Sequence, residues 1–172
     1  AKNEKNRDRK IEIYLAQLNL FDKYDKFNEH LNVCEELLKL HNIKSLNGDQ
    51  LKQLSYHTNK KAAELQKVVA SDVYKRVPKV KRKKSNQAIA YFEITAELDP
   101  KSKAEKTFFQ GETAYAADRF YKSINYYIKS FDLAKSSNDS KIVNQSLEGM
   151  LSSLGQPSFS KRKSSEKYYL PV

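Results

Sequence analysis

Apolar side chains recur every three or four residues along most of this chain, the rhythm of one buried helical face. Ile11, Tyr14, Leu15 and Leu18 set it over residues 8–20, and Phe27, Leu31, Cys34, Leu37 and Leu38 over residues 25–40. A turn-like Asp22–Asp25 separates them. His41 to Gly48 reads as a loop that ends in an Asn47-Gly48 turn, with Asp49 as the N-cap of the next element. Leu51, Leu54, Thr58, Ala62, Leu65, Val69 and Val73 then keep the rhythm without Gly or Pro as far as Val77, which predicts one long helix closed by Pro78. Further helices are predicted over 85–98 (Ser85 as N-cap, Asp99-Pro100 as the stop), 102–117, 119–135 and 140–154, the last stopped by Gly155-Gln156-Pro157. The fold class is all-α, in antiparallel helical hairpins with short loops.

The 172 residues suffice for one domain or a short array of repeats. Four Gly and four Pro are too few for the many turns of an all-β domain. No apolar run is long enough to span a membrane, and no signal-peptide pattern opens the chain. The chain opens on Ala, and it closes on Val172 straight after the apolar Tyr168-Tyr169-Leu170-Pro171. It therefore reads as a segment of a longer protein, with Tyr168-Tyr169-Leu170 starting a further helix and 158–172 as a flexible basic tail. The compartment, cytoplasm or cell envelope, stays open.

A net charge of +11 is concentrated in one place. Residues 1–40 balance 8 basic against 8 acidic side chains, whereas residues 41–84 hold 12 against 3. The peak is Lys79, Lys81, Arg82, Lys83 and Lys84, with a smaller cluster at Lys161-Arg162-Lys163. Residues 78–85 read as a solvated basic linker between an N-terminal region (1–77) and a C-terminal one (86–157). The alternatives are an import-type signal or a patch for nucleic acid or anionic membrane. Against nucleic acid, the run has no interleaved aromatic, Asn or Gln to stack on or read bases.

Residues 87–98 and 122–133 align at a constant offset of 35. Small residues match at Ala88/Ser123 and Thr95/Ser130, Ile at Ile89/Ile124, an aromatic at Phe92/Tyr127 and Leu at Leu98/Leu133. A fixed period of this size signals stacked units with a shared core. With Gly111 twelve residues before Ser123, Phe120 opening the second helix and Pro100 closing the preceding unit, residues 86–135 resemble the tetratricopeptide repeat. Thr107, Gln110 and Lys135 depart from that family's pattern; Tyr14, Leu18, Phe27, His30, Cys34 and Leu37 form a degenerate earlier copy.

The resemblance implies a short solenoid in which Ala88, Phe92, Gly111, Phe120, Ser123 and Tyr127 pack the repeats. It also implies a concave groove lined by first helices, with Glu105, Phe108, Glu112 and Tyr115 facing a protein or peptide partner within a multiprotein assembly. Two acids and two aromatics suit a ligand with basic and apolar side chains. The Lys and Asn that would clamp a terminal carboxylate, as in the chaperone-tail-binding subclass, are missing from this segment.

Chemistry is sparse. His30 and Cys34 share one helical face, but nothing completes a metal or catalytic set, so Cys34 reads as a core thiol. The four glycines are isolated, so no phosphate-cradling loop is present. Tyr115, Tyr121, Tyr126 and Tyr127 serve packing or groove recognition. Two short sequons, at Asn138 and Asn144, would matter only in a secreted eukaryotic protein. The expected function is a non-catalytic interaction scaffold without cofactor or metal; the alternative is a helical nucleic-acid-binding protein that uses residues 41–84.

Overall fold

A computed structural model describes residues 2–40 and 46–157. Among them the chain is helical throughout, without strands: α1 (Lys2–Lys23), α2 (Phe27–Leu40), α3 (Gly48–Ala70), α4 (Pro78–Leu98), α5 (Lys103–Ala116), α6 (Phe120–Ser136) and α7 (Ser140–Leu154). The expectations for His41–Lys44, for the Lys161–Lys163 cluster and for the tail at 158–172 lie outside the described residues.

Local chemistry explains where helices start and stop. Asn47, not Asp49, caps α3: its Oδ1 accepts from the backbone N–H groups of Asp49 (3.1 Å) and Gln50 (2.9 Å). The Gln50 Oε1 in turn accepts from the Asn47 N–H, which completes a capping box. α3 ends at Ala70, seven residues before the expected stop. Ser71 turns extended (ψ 161°) and donates its hydroxyl to the Val68 carbonyl at 2.7 Å; a single short turn, Asp72–Tyr74, follows.

Residues 78–85 correct the expected linker: they are the first two turns of α4. Pro78 sits in the first helical turn, where a missing N–H costs nothing, so it starts a helix instead of only ending one. The lysines after it are good helix formers. Ser85, expected as an N-cap, is buried inside α4 and donates to the Thr113 carbonyl of α5 at 3.3 Å.

Three turns share one geometry. Asp25, Asp118 and Asn138 have φ of 51°, 59° and 56°, in the left-handed region. In each, the next N–H reaches back five residues: Lys26 to Phe21 O, Arg119 to Ala114 O and Asp139 to Ala134 O, each 2.9–3.0 Å. This is the Schellman closure with Asp or Asn where Gly is usual, the non-glycine residues that tolerate this conformation best. Each turn reverses the chain within three residues, so α1/α2, α5/α6 and α6/α7 pack antiparallel.

The helices build two cores. Ile11, Leu18, Leu37, Leu54, Leu65, Tyr91 and Phe92 belong to one, formed by α1–α4; Ala104, Phe108, Tyr127, Ala134, Ile142 and Met150 belong to the other, formed by α5–α7. α5 touches α3 on one side and α7 on the other, and α4 joins the cores by packing on α5. The 35-residue correspondence extends to burial. Ala88/Ser123, Ile89/Ile124, Phe92/Tyr127 and Thr95/Ser130 are buried pairs, and Leu98 and Leu133 are both half-buried. Small hydroxyl residues stitch the contacts. The Thr58 and Thr95 oxygens lie 3.0 Å apart between α3 and α4, those of Ser130 and Ser146 3.1 Å apart between α6 and α7, and Ser130 donates to Ala104 O at 2.8 Å.

Candidate functional site

The sharpest local geometry surrounds Tyr127. Its ring lies between Gly111 of α5 and Gly149 of α7: a Cβ placed on either glycine would come within 2.6 Å of ring carbons. Two helix backbones thus approach one aromatic ring so closely that neither leaves room for a Cβ. Phe108 of α5 packs beside it, with centroids 5.7 Å apart. The buried hydroxyl finds its partner in the Glu112 carboxylate, to which it donates at 2.5 Å. Burial, then this hydrogen bond and charge, raise the Tyr127 pKa far above the usual phenol range, so the ring stays neutral.

Above that floor lies a cleft of about 310 Å³ between α5 and α7. Glu112 and Tyr115 bound it on one wall, and Gln145, Glu148 and Ser152 on the other. Glu112 and Tyr115 are half-buried, Glu148 is exposed, and no cation lines the cleft. Tyr115 is held in place: its hydroxyl accepts from Gln156 Nε2 at 2.7 Å, and its ring meets Phe120 edge-on at 5.4 Å. The volume is at the small end for a ligand pocket, room for one long side chain.

Three of the four expected groove residues meet here, with two adjustments. Phe108 is only 8% exposed, so it forms part of the floor instead of presenting a free face. Glu105 stands apart: it lines a wider cleft of about 560 Å³ between α3 and α5, with Leu51, Tyr56, Asn59 and Leu98. There Lys106 Nζ lies 2.8 Å from its carboxylate and neutralises it. The sequence reading missed the α7 wall, Gln145, Glu148 and Gly149. A glycine within an otherwise periodic helix was the available signal of close backbone approach.

His30 and Cys34 belong to a different place, a polar node inside the N-terminal core. The Tyr91 hydroxyl lies 3.1 Å from the Phe27 carbonyl, to which it donates, and 2.9 Å from His30 Nδ1. That assigns the proton of neutral His30 to Nδ1 and leaves Nε2 bare; Nε2 and His57 Nδ1 are both buried without a partner. The two imidazoles sit 5.7 Å apart. Burial, then His57 and Lys61, depress the His30 pKa to about 4. Burial also lowers that of His57, against the pull of Asp22. Cys34 lies 3.8 Å from His30 Nδ1, and burial pushes its thiol up to about 12, so it is no thiolate. Beside them the buried Lys61 places its ammonium 2.5 Å from Asp22, 3.0 Å from Glu64 and 4.7 Å from the centre of the Phe27 ring. Among the described residues, no group of three His, Cys, Asp or Glu side chains is arranged to hold a metal.

The basic run divides. Lys81 turns to Asp118 at 3.4 Å, and Lys84 lies over the Phe27 ring at 4.5 Å. Lys79, Arg82 and Lys83 are exposed. None of the described helices is long and apolar enough to cross a membrane. Compared with known proteins, the chain matches no family model and no curated protein.

Proposed function

We propose that this chain is a non-catalytic interaction scaffold of tetratricopeptide-repeat type, in which α3, α5 and α7 are the first helices of successive hairpins and offer a recognition face to a peptide or protein segment. The observation that carries the reading is the α5–α7 cleft: two carboxylates and a tyrosine ring above an apolar aromatic floor, with no cation among its walls. Glu112 spends one acceptor position on Tyr127 and keeps others for an incoming donor. Glu148 lies exposed on the opposite wall. A lysine or arginine side chain laid between them would meet charge-assisted hydrogen bonds and an aromatic face, and its methylene stem would cover Phe108 and Tyr127. The polarity of the cleft selects against an acidic ligand.

The test is a selection of random peptides against the protein, compared with the Glu112→Gln/Glu148→Gln variant, which keeps the hydrogen bond from Tyr127. Enrichment of Lys- or Arg-containing peptides that is lost in the double variant supports the reading. Enrichment of acidic peptides, or a consensus unaffected by the substitutions, rejects it.

A further inference from the structure

The corner between α3 and α4 carries an independent feature on a separate surface. From Asp72 to Val80 every residue except Tyr74 is exposed, at the turn that joins α3 to α4. Three valines in it face water: Val73 is 72% exposed, Val77 46% and Val80 37%. They lie within eight residues of one another, Val73 in the short Asp72–Tyr74 turn, Val77 at the N-cap of α4 and Val80 in its first turn. Around them Lys75, Arg76, Lys79, Arg82 and Lys83 are all exposed. The one acid, Asp72, lies 3.7 Å from Lys75; the other four have no ion-pair partner among the described residues. α4 has no acid in its first turn and no side-chain cap, so its positive end adds to the same field.

Cations stacked on the positive end of a helix, beside valines left in water, disfavour the free protein, and an occupant must answer both features. We propose that the α3–α4 corner, residues 73–83, docks the protein peripherally on an anionic lipid bilayer, with Val73, Val77 and Val80 entering the boundary between headgroups and acyl chains and Lys75, Arg76, Lys79, Arg82 and Lys83 on the lipid phosphates. The corner lines neither of the two clefts described above, and exposed cations beside exposed valines match the charged and apolar layers of a bilayer surface. Nucleic acid would satisfy the cations but would leave the valines in water, and the segment has no exposed aromatic or amide side chain to stack on or read a base. Juxtamembrane cations act additively and are screened by salt.

The whole chain is co-sedimented with vesicles of phosphatidylcholine alone and of phosphatidylcholine with added phosphatidylserine, at low and physiological salt. Duplex DNA and soluble glycerophosphoserine are run as parallel arms. Binding is expected only to the anionic vesicles. It should fall at least about tenfold in Lys79→Glu/Arg82→Glu and several-fold in Val73→Ser/Val77→Ser, while soluble headgroup fails to compete. All four positions are exposed, so both variants keep the fold, which circular dichroism verifies. No binding to anionic vesicles at low salt overturns the proposal. So does competition by soluble headgroup, which would make the corner a phosphate site, or DNA binding tighter than vesicle binding and indifferent to the valines, which would make it a nucleic-acid surface.

Discussion

The two cores solve the same packing problem with opposite chemistry. In the N-terminal core, polar and charged groups lie between helices: His30, His57, Tyr91 and the Lys61–Asp22–Glu64 cluster. In the C-terminal core α5 and α7 each bring a glycine against Tyr127, and serine hydroxyls join the helices at the contacts. The first arrangement depends on protonation state, the second on volume. The α5–α7 cleft is built on the second, so its floor is set by packing.

The largest effect should come from emptying the glycine slot. Tyr127→Ala removes a fully buried ring together with the hydrogen bond to Glu112, and should cost about 3–5 kcal/mol. Chemical denaturation would measure it, and hydrogen exchange should show the loss of protection concentrated in α5–α7. A loss spread evenly over α1–α4 would break the comparison.

Acid should act on the other half. His30 titrates near 4 in the folded protein against 6.5 unfolded, so below pH 6.5 the unfolded chain takes up a proton that the native one refuses. Stability is therefore full above 6.5 and declines as pH falls to about 4, by about 3 kcal/mol. His57 acts in the same direction. The groups facing this pair are Asp22 from α1, Cys34 from α2, Lys60 and Lys61 from α3 and Tyr91 from α4. Burial raises the Asp22 pKa, yet its hydrogen bonds to Lys60 and Lys61 outweigh that and hold the carboxyl at about 2. Its own contribution is thus lost only below 3.8, as pH falls through 2. Melting followed from pH 7.5 to 4.5, with exchange resolved by helix, should show α1–α4 opening first. His30→Gln should flatten the profile.

Smaller effects sharpen the geometry. Gly149→Ala forces a methyl group to within 2.6 Å of the Tyr127 ring, which also lies against Gly111. About 1–3 kcal/mol should be lost, and much of it should return in the background of Tyr127→Leu. Asn138→Val strains a left-handed position and should cost about 1–2 kcal/mol, read as a drop in melting temperature.

Much of the C-terminal half was legible in the sequence because its determinants are local. The constant offset from Ala88/Ser123 to Leu98/Leu133, and the stops after residues 135 and 154, rest on neighbours within one or two turns. Pro78 misled because the same residue that ends one helix can open the next. Glu105 and Glu112 share one face of α5, being two turns apart, yet Glu105 lines the cleft with α3 and Glu112 the cleft with α7, a difference set by where the neighbouring helices cross and not by local sequence. The burial of Lys61 was invisible, since its partner Asp22 lies in another helix and nothing local marks the pair. The pairing of His57 with His30 is equally invisible locally, since 27 residues separate them and only tertiary packing brings their rings to 5.7 Å.

The most direct test of the scaffold reading is an amide-shift titration of the isotopically labelled protein with a basic peptide taken from the selection. Shifts are expected to centre on Glu112, Tyr115, Gln145, Glu148 and Ser152, and to vanish when the peptide's lysine is replaced by norleucine. Shifts centred on α1–α2 or on the α3–α4 corner, or a response indifferent to that replacement, would contradict it.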